Sequence, residues 1–337
     1  MIESLLRRPL VARYLDLWFL GAMTVLMVLA FWRAEPSWLN SRTVPAIVSQ
    51  NAPLALVALA MTFSIIARHI DLSPGSALAL AGVVVGLAYR ETGSLPLALA
   101  AGVLAAVALA VFNGLLVAGL GLSAIMVTLA AFIWARGLAL AFTEGDPIEV
   151  GGGFSDLVNG TVAGFSITAP IVVAAYVAGW FLLTRTKLGR YAYAIGGDPA
   201  AARRARIGVG RTTLLVFALM GLMVGVGALI VVGQLASAQP YVASGLELDA
   251  IIAVIIGGTR LAGGEGSIGR TALGVAFISI LNSGLLNLGL EDAYYQVYKG
   301  VVLLAVLSVQ IWLRRLARTG ERRRLEADAL EPAGAPA

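Results

Sequence analysis

Residues 253–270 read AVIIGGTRLAGGEGSIGR, and Gly264, Gly266 and Gly269 complete a G-x-G-x-x-G string, the spacing that cradles the pyrophosphate of a dinucleotide. That chemistry needs a strand before the loop, a helix after it and an acid about 20 residues on to hold a ribose. Here apolar runs flank the string on both sides, and the chain beyond Gly269 is still in such a run at that distance. The string is therefore read as a tight reversal between two membrane spans, where glycine allows positive φ and close approach of another surface. No G-x-x-x-x-G-K-[ST] loop occurs, so ATP has no cradle on this chain. Cysteine is absent, which removes thiolate chemistry, and His69 is the one histidine, which nearly excludes a multi-histidine metal site or a Ser-His-Asp arrangement. No catalytic residue, metal or cofactor is expected.

The elements that position these residues follow from composition. Hydrophobic residues make up 59% of the 337 and charged residues 13%, with a mean hydropathy of +0.88. Soluble domains carry about 45–50% apolar and about 25% charged residues, so this is an all-α polytopic membrane protein. Segments 14–32, 45–66, 74–89, 95–119, 124–142, 165–184, 212–236, 247–258, 271–290 and 294–313 are the candidate spans. Segments 74–89 and 247–258 are short and Gly/Pro-interrupted, which marks places where backbone lines a cavity or a partner. The first segment is too long for a signal-peptide core and lacks a convincing cleavage site, so it is read as an uncleaved span.

Lys and Arg placement tests this topology. With both termini in the cytosol, nineteen of the 24 fall on the inner side, including seven in 185–211. Residues 143–164 contain no Lys or Arg but carry Glu144, Asp146, Glu149 and Asp156, so they are expected to face outward. The chain divides into a membrane domain, 1–313, and a basic, partly disordered tail, 314–337, with Arg322, Arg323 and Arg324 drawn to anionic lipid. Asn113-Gly114-Leu115-Leu116 is echoed by Asn282-Ser283-Gly284-Leu285-Leu286; this is either the trace of two related halves or chance similarity between apolar helices.

Residues 198–207 specify a short helix outside the bilayer. Asp198 is a strong N-cap, Pro199 suits the first helical position, Ala200, Ala201 and Ala202 propagate it, Arg203, Arg204 and Arg206 suit its last turn, and Gly208 can end it. It lacks a large apolar face for lipid, so a rigid peg docking into another protein suits it better than a membrane-surface helix.

At these residues the chain resembles the membrane-spanning permease subunits of ABC importers for monosaccharides, of the ribose, xylose and galactose type. Four motifs in order carry the resemblance: Ile70-Asp71-Leu72-Ser73-Pro74-Gly75-Ser76; Thr128-Leu129 with Arg136-Gly137; Gly189-Arg190-Tyr191 through Gly196-Gly197-Asp198-Pro199 and Ala202; and Gly257-Gly258-Thr259 with Gly263-Gly264-Glu265-Gly266-Ser267. Ala205-Arg206-Ile207 departs from the family's Ser-Gly-Ile, and Pro74 stands where valine is common. The resemblance implies two permease subunits, both copies of this chain or one a paralogue, two cytosolic ATPases that bind the ATP, and an external sugar-binding protein in a bacterial inner membrane. It places ATPase coupling on Gly189, Arg190, Gly196, Gly197, Asp198, Pro199, Ala202, Arg203 and Arg204. Gating falls on Asp71, Ser73, Gly75, Ser76, Arg136, Gly257, Gly258, Thr259, Gly263, Gly264, Gly266 and Ser267, and the acidic 143–164 loop becomes a docking surface for the binding protein.

Individual polar residues have plainer readings beside these. Asp71 reads as an N-cap near the inner end of a span. Arg136 lies deep enough to require a partner, and Glu247 or Asp249 is expected to supply it. Lys299, beside Tyr294, Tyr295 and Tyr298, reads as snorkelling outward. The embedded amides Asn51, Asn113, Gln234, Asn282 and Asn287 either line a sugar path or join helices by hydrogen bonds. A permease of the same superfamily for nucleosides or branched-chain amino acids is the neighbouring alternative. An ion-coupled carrier is the different-class alternative, disfavoured because only loop-proximal Asp71 and Asp249 approach mid-span, and a membrane enzyme is remote.

Overall fold

The computed structural model describes residues 9–162, 165–290 and 294–309. Along the chain run α1 (Pro9–Ala34), α2 (Thr43–Gln50), α3 (Ala52–Ile66), α4 (Pro74–Thr92), α5 (Leu95–Leu120), α6 (Ala124–Thr143), β1 (Ile148–Glu149), α7 (Gly152–Asn159), β2 (Thr161–Val162), β3 (Phe165–Ser166), α8 (Thr168–Arg185), α9 (Lys187–Gly197), α10 (Pro199–Arg204), α11 (Val209–Leu235), β4 (Ser237–Ala238), α12 (Leu246–Ile256), α13 (Ile268–Asn287) and α14 (Tyr294–Val309). Each of the ten apolar segments meets helix, with 45–66 divided between α2 and α3, 74–89 lengthened to the 19 residues of α4, and 294–313 followed as far as residue 309. By length and hydropathy α5, α6, α8, α11 and α13 qualify as spans, and α2 with α3 make a sixth across a 54° bend. The bend follows from Pro53 in the first turn of α3 and from Asn51, whose Nδ2 donates to Ile47 O at 2.9 Å.

Residues 39–279 form one compact unit. At its centre α3 is buried along its whole length, as a helix that is apolar all round must be. Against it runs α11, and against α11 runs α5, with Gly221 and Gly225 letting the two backbones approach at Val107 and Val103. The outer faces of α5, α6 and α8 expose Leu104, Met126, Ile133 and Val173, an apolar surface suited to lipid.

Direction within this unit reveals an inverted pair. Gln234, at the end of α11, donates to Ser49 O at 2.8 Å, while Thr213, at its start, meets His69 Nε2 at 3.0 Å, so α11 runs antiparallel to α2–α3. A non-helical segment follows each of these helices: 67–73 after α3 and 236–245, largely turns, after α11. Each segment then opens a helix, α4 or α12, and the two starts meet where Gly75 lies against Ala243 and Glu247. From there α4 runs toward β1 and β4, where Gly86 touches Ala238 and Ile148, and α12 runs the opposite way to Gly257, which lies against Arg270. The Asn-Gly-Leu-Leu echo falls on the next helix of each series, α5 and α13. Gly114 packs on Phe217, and in the second unit Gly284 packs on Phe31. Equivalent positions in the two series favour related halves over chance.

The described residues of 1–38 and 280–337 form the second unit. In it Phe31 and Trp38 meet edge to face at 5.5 Å, and Trp38 Nε1 donates to Ser283 Oγ at 3.3 Å. Lys299 lies 5.6 Å from the Tyr295 ring. The tail 314–337 lies outside the described residues.

The acidic stretch 143–164 has more structure than a loop. β1 pairs antiparallel with β4 (Ile148 with Ala238), and α7 buries Phe154 and Val158, the latter against Gly233 of α11. Glu144, Asp146, Glu149 and Asp156 all remain exposed. Sequence pattern missed this because the ribbon partner lies far along the chain. The 198–207 helix is also shorter than expected: α10 ends at Arg204, Arg206 takes φ 58°, and Gly208, at φ −71°, leads into α11 rather than ending α10.

Candidate functional site

Two polar assemblies stand out in the larger unit. The first is a platform at its basic end. Asp198 caps α10, its carboxylate accepting from Ala200 N at 2.8 Å and Ala201 N at 3.0 Å. The bonds from Ala201 and Ala200 hold that carboxyl below its usual range, so the cap is complete at neutral pH and is lost only as pH falls through the depressed value. Arg203 and Arg204 project outward while Ala202 is buried. Ahead of α10 stands α9, which sequence reading left as a lead-in; its Ala192 and Ile195 are buried, and Ala192 joins Phe63, Ile66 and Leu183 in one apolar cluster.

Backbone joins this platform to two other segments. Gly264 N donates to Ile66 O at 2.9 Å, Arg68 Nε to Ala262 O at 2.6 Å, and Tyr193 Oη to Gly266 O at 2.8 Å. Gly263 and Gly264, at φ 81° and 77°, take the left-handed conformation that a side chain disfavours. A Cβ on Gly196 would collide with Ile66 O and Gly264 N. The opening glycine string is thus the reversal expected, and its glycines admit a three-way contact among the end of α3, the end of α9 and the turn after α12. Thr259 is buried in this turn, Ser267 O accepts from Thr271 N at 3.0 Å, and Gly189 packs on the Leu183 backbone. Arg190 is exposed, its Nη1 reaching Arg185 O at 3.4 Å.

The second assembly is a buried junction at the meeting of α4 and α12. Asp71 is fully buried, and its Oδ1 accepts from Ser73 N at 2.8 Å and Ser73 Oγ at 2.6 Å. Asp71 therefore closes a turn ahead of α4 instead of capping it; Ser73 holds the cap position and makes no side-chain cap bond. Asn113 Nδ2 reaches Ser73 Oγ at 3.3 Å, and Thr128 Oγ1 receives Leu72 N at 3.0 Å. Thr128 is four residues past the start of α6, which sets the 67–73 segment about 6 Å along that helix. Arg136 lies about 18 Å along the same helix. Its Nη1 donates to Pro240 O at 2.6 Å and Val242 O at 2.8 Å. These carbonyls, brought to Arg136 by the 236–245 segment, take the hydrogen bonds of the fork, and Glu247, one of the two carboxylates expected as its partner, adds a Coulombic attraction. Asp71 Oδ2, Ser76 Oγ, Asn113 Oδ1, Arg136 Nη2 and Glu247 Oε2 are buried without a hydrogen-bond partner among the described residues.

A helical bundle with apolar outer faces, a buried polar junction between two opposed helix starts and a basic platform at one end describes a transport protein. A family model described as branched-chain amino acid transport system, permease component, matches residues 44–307. The chain belongs to this family. The ribose import permease protein RbsC of Escherichia coli (strain K12) is 37% identical over 284 residues, covering 82% of this chain and 87% of the relative. The autoinducer 2 import system permease protein LsrC of Enterobacter sp. (strain 638) is 33% identical, covering 88% and 87%. The xylose transport system permease protein XylH of Escherichia coli (strain K12) is 29% identical, covering 87% and 90%. No solved structure matches.

In this permease the embedded amides fall in both units. Asn51 holds the α2–α3 bend, Gln234 joins α11 to α2, and Asn113 belongs to the buried junction. In the second unit Asn282 accepts from Tyr295 Oη at 3.0 Å, and Asn287 is exposed at the end of α13. Asp71, read from sequence as loop-proximal, is instead enclosed, as is Glu247 at 5% exposure. Sequence reading also missed the buried Thr62–Thr271 hydroxyl pair at 2.7 Å, which joins α3 to α13.

The cap on α10 gives a first expected result. Asp198→Ala should fray α10 and lower transport several-fold, while Asp198→Asn, which can still accept from the Ala200 and Ala201 amides, should restore most of it. Uptake assays on both variants at equal membrane abundance check this; equal loss in the two would mean that the charge matters and the cap does not.

Proposed function

We propose that this chain is the membrane-spanning subunit of a binding-protein-dependent importer that carries a monosaccharide into the cytoplasm, driven by ATP hydrolysis on a separate cytosolic subunit. The observation that carries the reading is the α9–α10 platform, a capped peg whose backbone contacts reach the ends of α3 and α12. The cargo class follows the relatives named for ribose and xylose import. Closure of an ATPase dimer against α10 shifts the platform, and α3 and α12 pass the shift to the junction at Gly75, where α4 and α12 part or close. The basic end faces the cytosol of a bacterial inner membrane, with both termini on that side, and the acidic 143–164 face receives the sugar-loaded binding protein. A second permease copy, identical or paralogous, completes the path.

Two further readings have an observation each. The family description names branched-chain amino acids as cargo. Buried Asp71 and Glu247, each with an unpartnered oxygen, suit an ion-coupled carrier. Affinity purification of the tagged chain from native membranes, followed by uptake in vesicles, separates them. Co-purification of a P-loop ATPase, with turnover stimulated by a sugar-loaded binding protein, is expected. Uptake without ATP that collapses with a protonophore would overturn the importer reading, and stimulation only by an amino-acid-loaded protein would overturn the cargo class. Deleting 198–207 should abolish uptake and leave the chain in the membrane.

A further inference from the structure

We propose that the cavity at the basic end of the larger unit is a phosphate-recognising site. The cavity has a volume of about 590 Å³ and lies between the 67–70 segment, the α5–α6 turn, the first turn of α11 and the platform residues Ile195, Pro199 and Arg203. It is separate from the buried junction, sharing none of that junction's orphaned groups.

Its charge points to an anion. Arg68 and Arg203 both line it, and among the described residues neither is paired with a carboxylate. Arg68 uses Nε on Ala262 O, which fixes the side chain while leaving the two terminal nitrogens of its fork for a ligand. Asp198, the acid nearest to Arg203 in sequence, is engaged by the α10 amides, lies 3.9 Å from Arg204 and attracts Arg68 only through space, without a salt bridge. Residues 185–211 carry seven Lys and Arg against that one acid, so the surrounding field is positive. His69, Ser123 and Thr213 add neutral hydrogen-bonding groups to the wall. The first turns of α6 and α11 open on the cavity, and neither is capped by a side chain, which adds to the same field.

The other wall is apolar, from Val117, Leu122 and Ile125, with Leu122 and Ile125 nearly half exposed toward the bilayer side. A phosphate with an apolar or sugar-like body fits both walls. Two sources supply it: the headgroup of an anionic inner-leaflet phospholipid, or a phosphorylated sugar formed when a cytosolic kinase consumes the imported cargo. Because Arg203 is on α10 and Arg68 is on the segment after α3, a bound phosphate ties the peg to the body of the unit and restrains its movement. That consequence rests on the coupling reading above; the site itself does not.

The test measures binding first, on the full-length chain without its ATPase. The chain is reconstituted in nanodiscs of phosphatidylcholine with or without phosphatidylglycerol, and retained lipid is read by native mass spectrometry. In parallel, ribose 5-phosphate and inorganic phosphate are titrated by equilibrium dialysis. Retained phosphatidylglycerol that phosphate does not displace, or saturable ribose 5-phosphate binding in phosphatidylcholine alone, each supports the site and names its source. Arg68→Gln or Arg203→Gln should weaken binding by about tenfold or more, as loss of one charge-assisted contact implies. Ser123→Trp fills the cavity without removing either arginine and should abolish binding. Wild-type binding in Ser123→Trp would overturn the proposal, since the basic surface and not the cavity would then hold the anion. Absence of binding in both arms would overturn it outright. Binding that leaves ATP-driven uptake unchanged would uphold the site and overturn its restraint of α10.

Discussion

Replacing Gly196 with valine is expected to abolish uptake while leaving the chain inserted at normal abundance. The clash involves the β carbon itself, which would fall on Ile66 O and Gly264 N, the two atoms of one hydrogen bond 2.9 Å long. No rotamer relieves it, so alanine should act in the same direction. Overpacking costs about 1–3 kcal/mol and a lost hydrogen bond about 0.5–1.5 kcal/mol, roughly 2–4 kcal/mol together. If that falls on the coupled state, uptake drops by about 30-fold to 1,000-fold. Gly269→Ala is the control: it lies in the same glycine string, but a Cβ there meets nothing within 4 Å. Near-normal uptake by Gly196→Val, with the control also active, would mean that the backbone contact does not transmit motion.

The apolar segments, short α12 among them, and the capped peg were legible because each rests on local physics: run length, glycine and proline placement, and an Asp-Pro-Ala-Ala cap. The glycine string was legible as a turn but not as a contact, since nothing local says that Gly264 must meet Ile66. Asp71 was misjudged for the same reason. Its neighbours Ser73 and Pro74 spell a cap, but Thr128 and Asn113, 57 and 42 residues away, draw the segment inward. Arg136 was rightly expected to need partners. Sequence offers carboxylates as the obvious ones and cannot show that 236–245 dips to its depth.

That dip explains why α12 is short, whereas α4, short as a sequence segment, runs 19 residues. A helix of 11 residues such as α12 spans about 16 Å, roughly half the hydrocarbon thickness. Non-helical segments, 67–73 and 236–245, enter from opposite ends, and their backbone groups are tolerated only inside protein. Asp71 with Ser73, and Arg136 with Pro240 and Val242, satisfy part of that requirement from each side. The two devices differ in chemistry, a carboxylate serving donors and a guanidinium serving acceptors, as oppositely directed segments require.

Arg136→Ala should therefore be the most damaging single change in the junction. It removes two charge-assisted bonds of about 1.5–3 kcal/mol each, and the carbonyls of Pro240 and Val242 are left without a donor in a part-buried site. A net loss of about 3 kcal/mol or more lowers the unfolding midpoint by several degrees and cuts uptake by at least about 100-fold. Arg136→Lys keeps the charge but not the two-carbonyl reach of the fork, so it should recover only part of the loss. Glu247→Gln separates this clamp from an ion pair, because it removes the charge facing Gly75 without touching Pro240 or Val242. Thermal unfolding and uptake of all three variants decide the matter. A Glu247→Gln defect equal to that of Arg136→Ala, with full rescue by lysine, would show that charge pairing and not the carbonyl clamp holds the 236–245 segment in place.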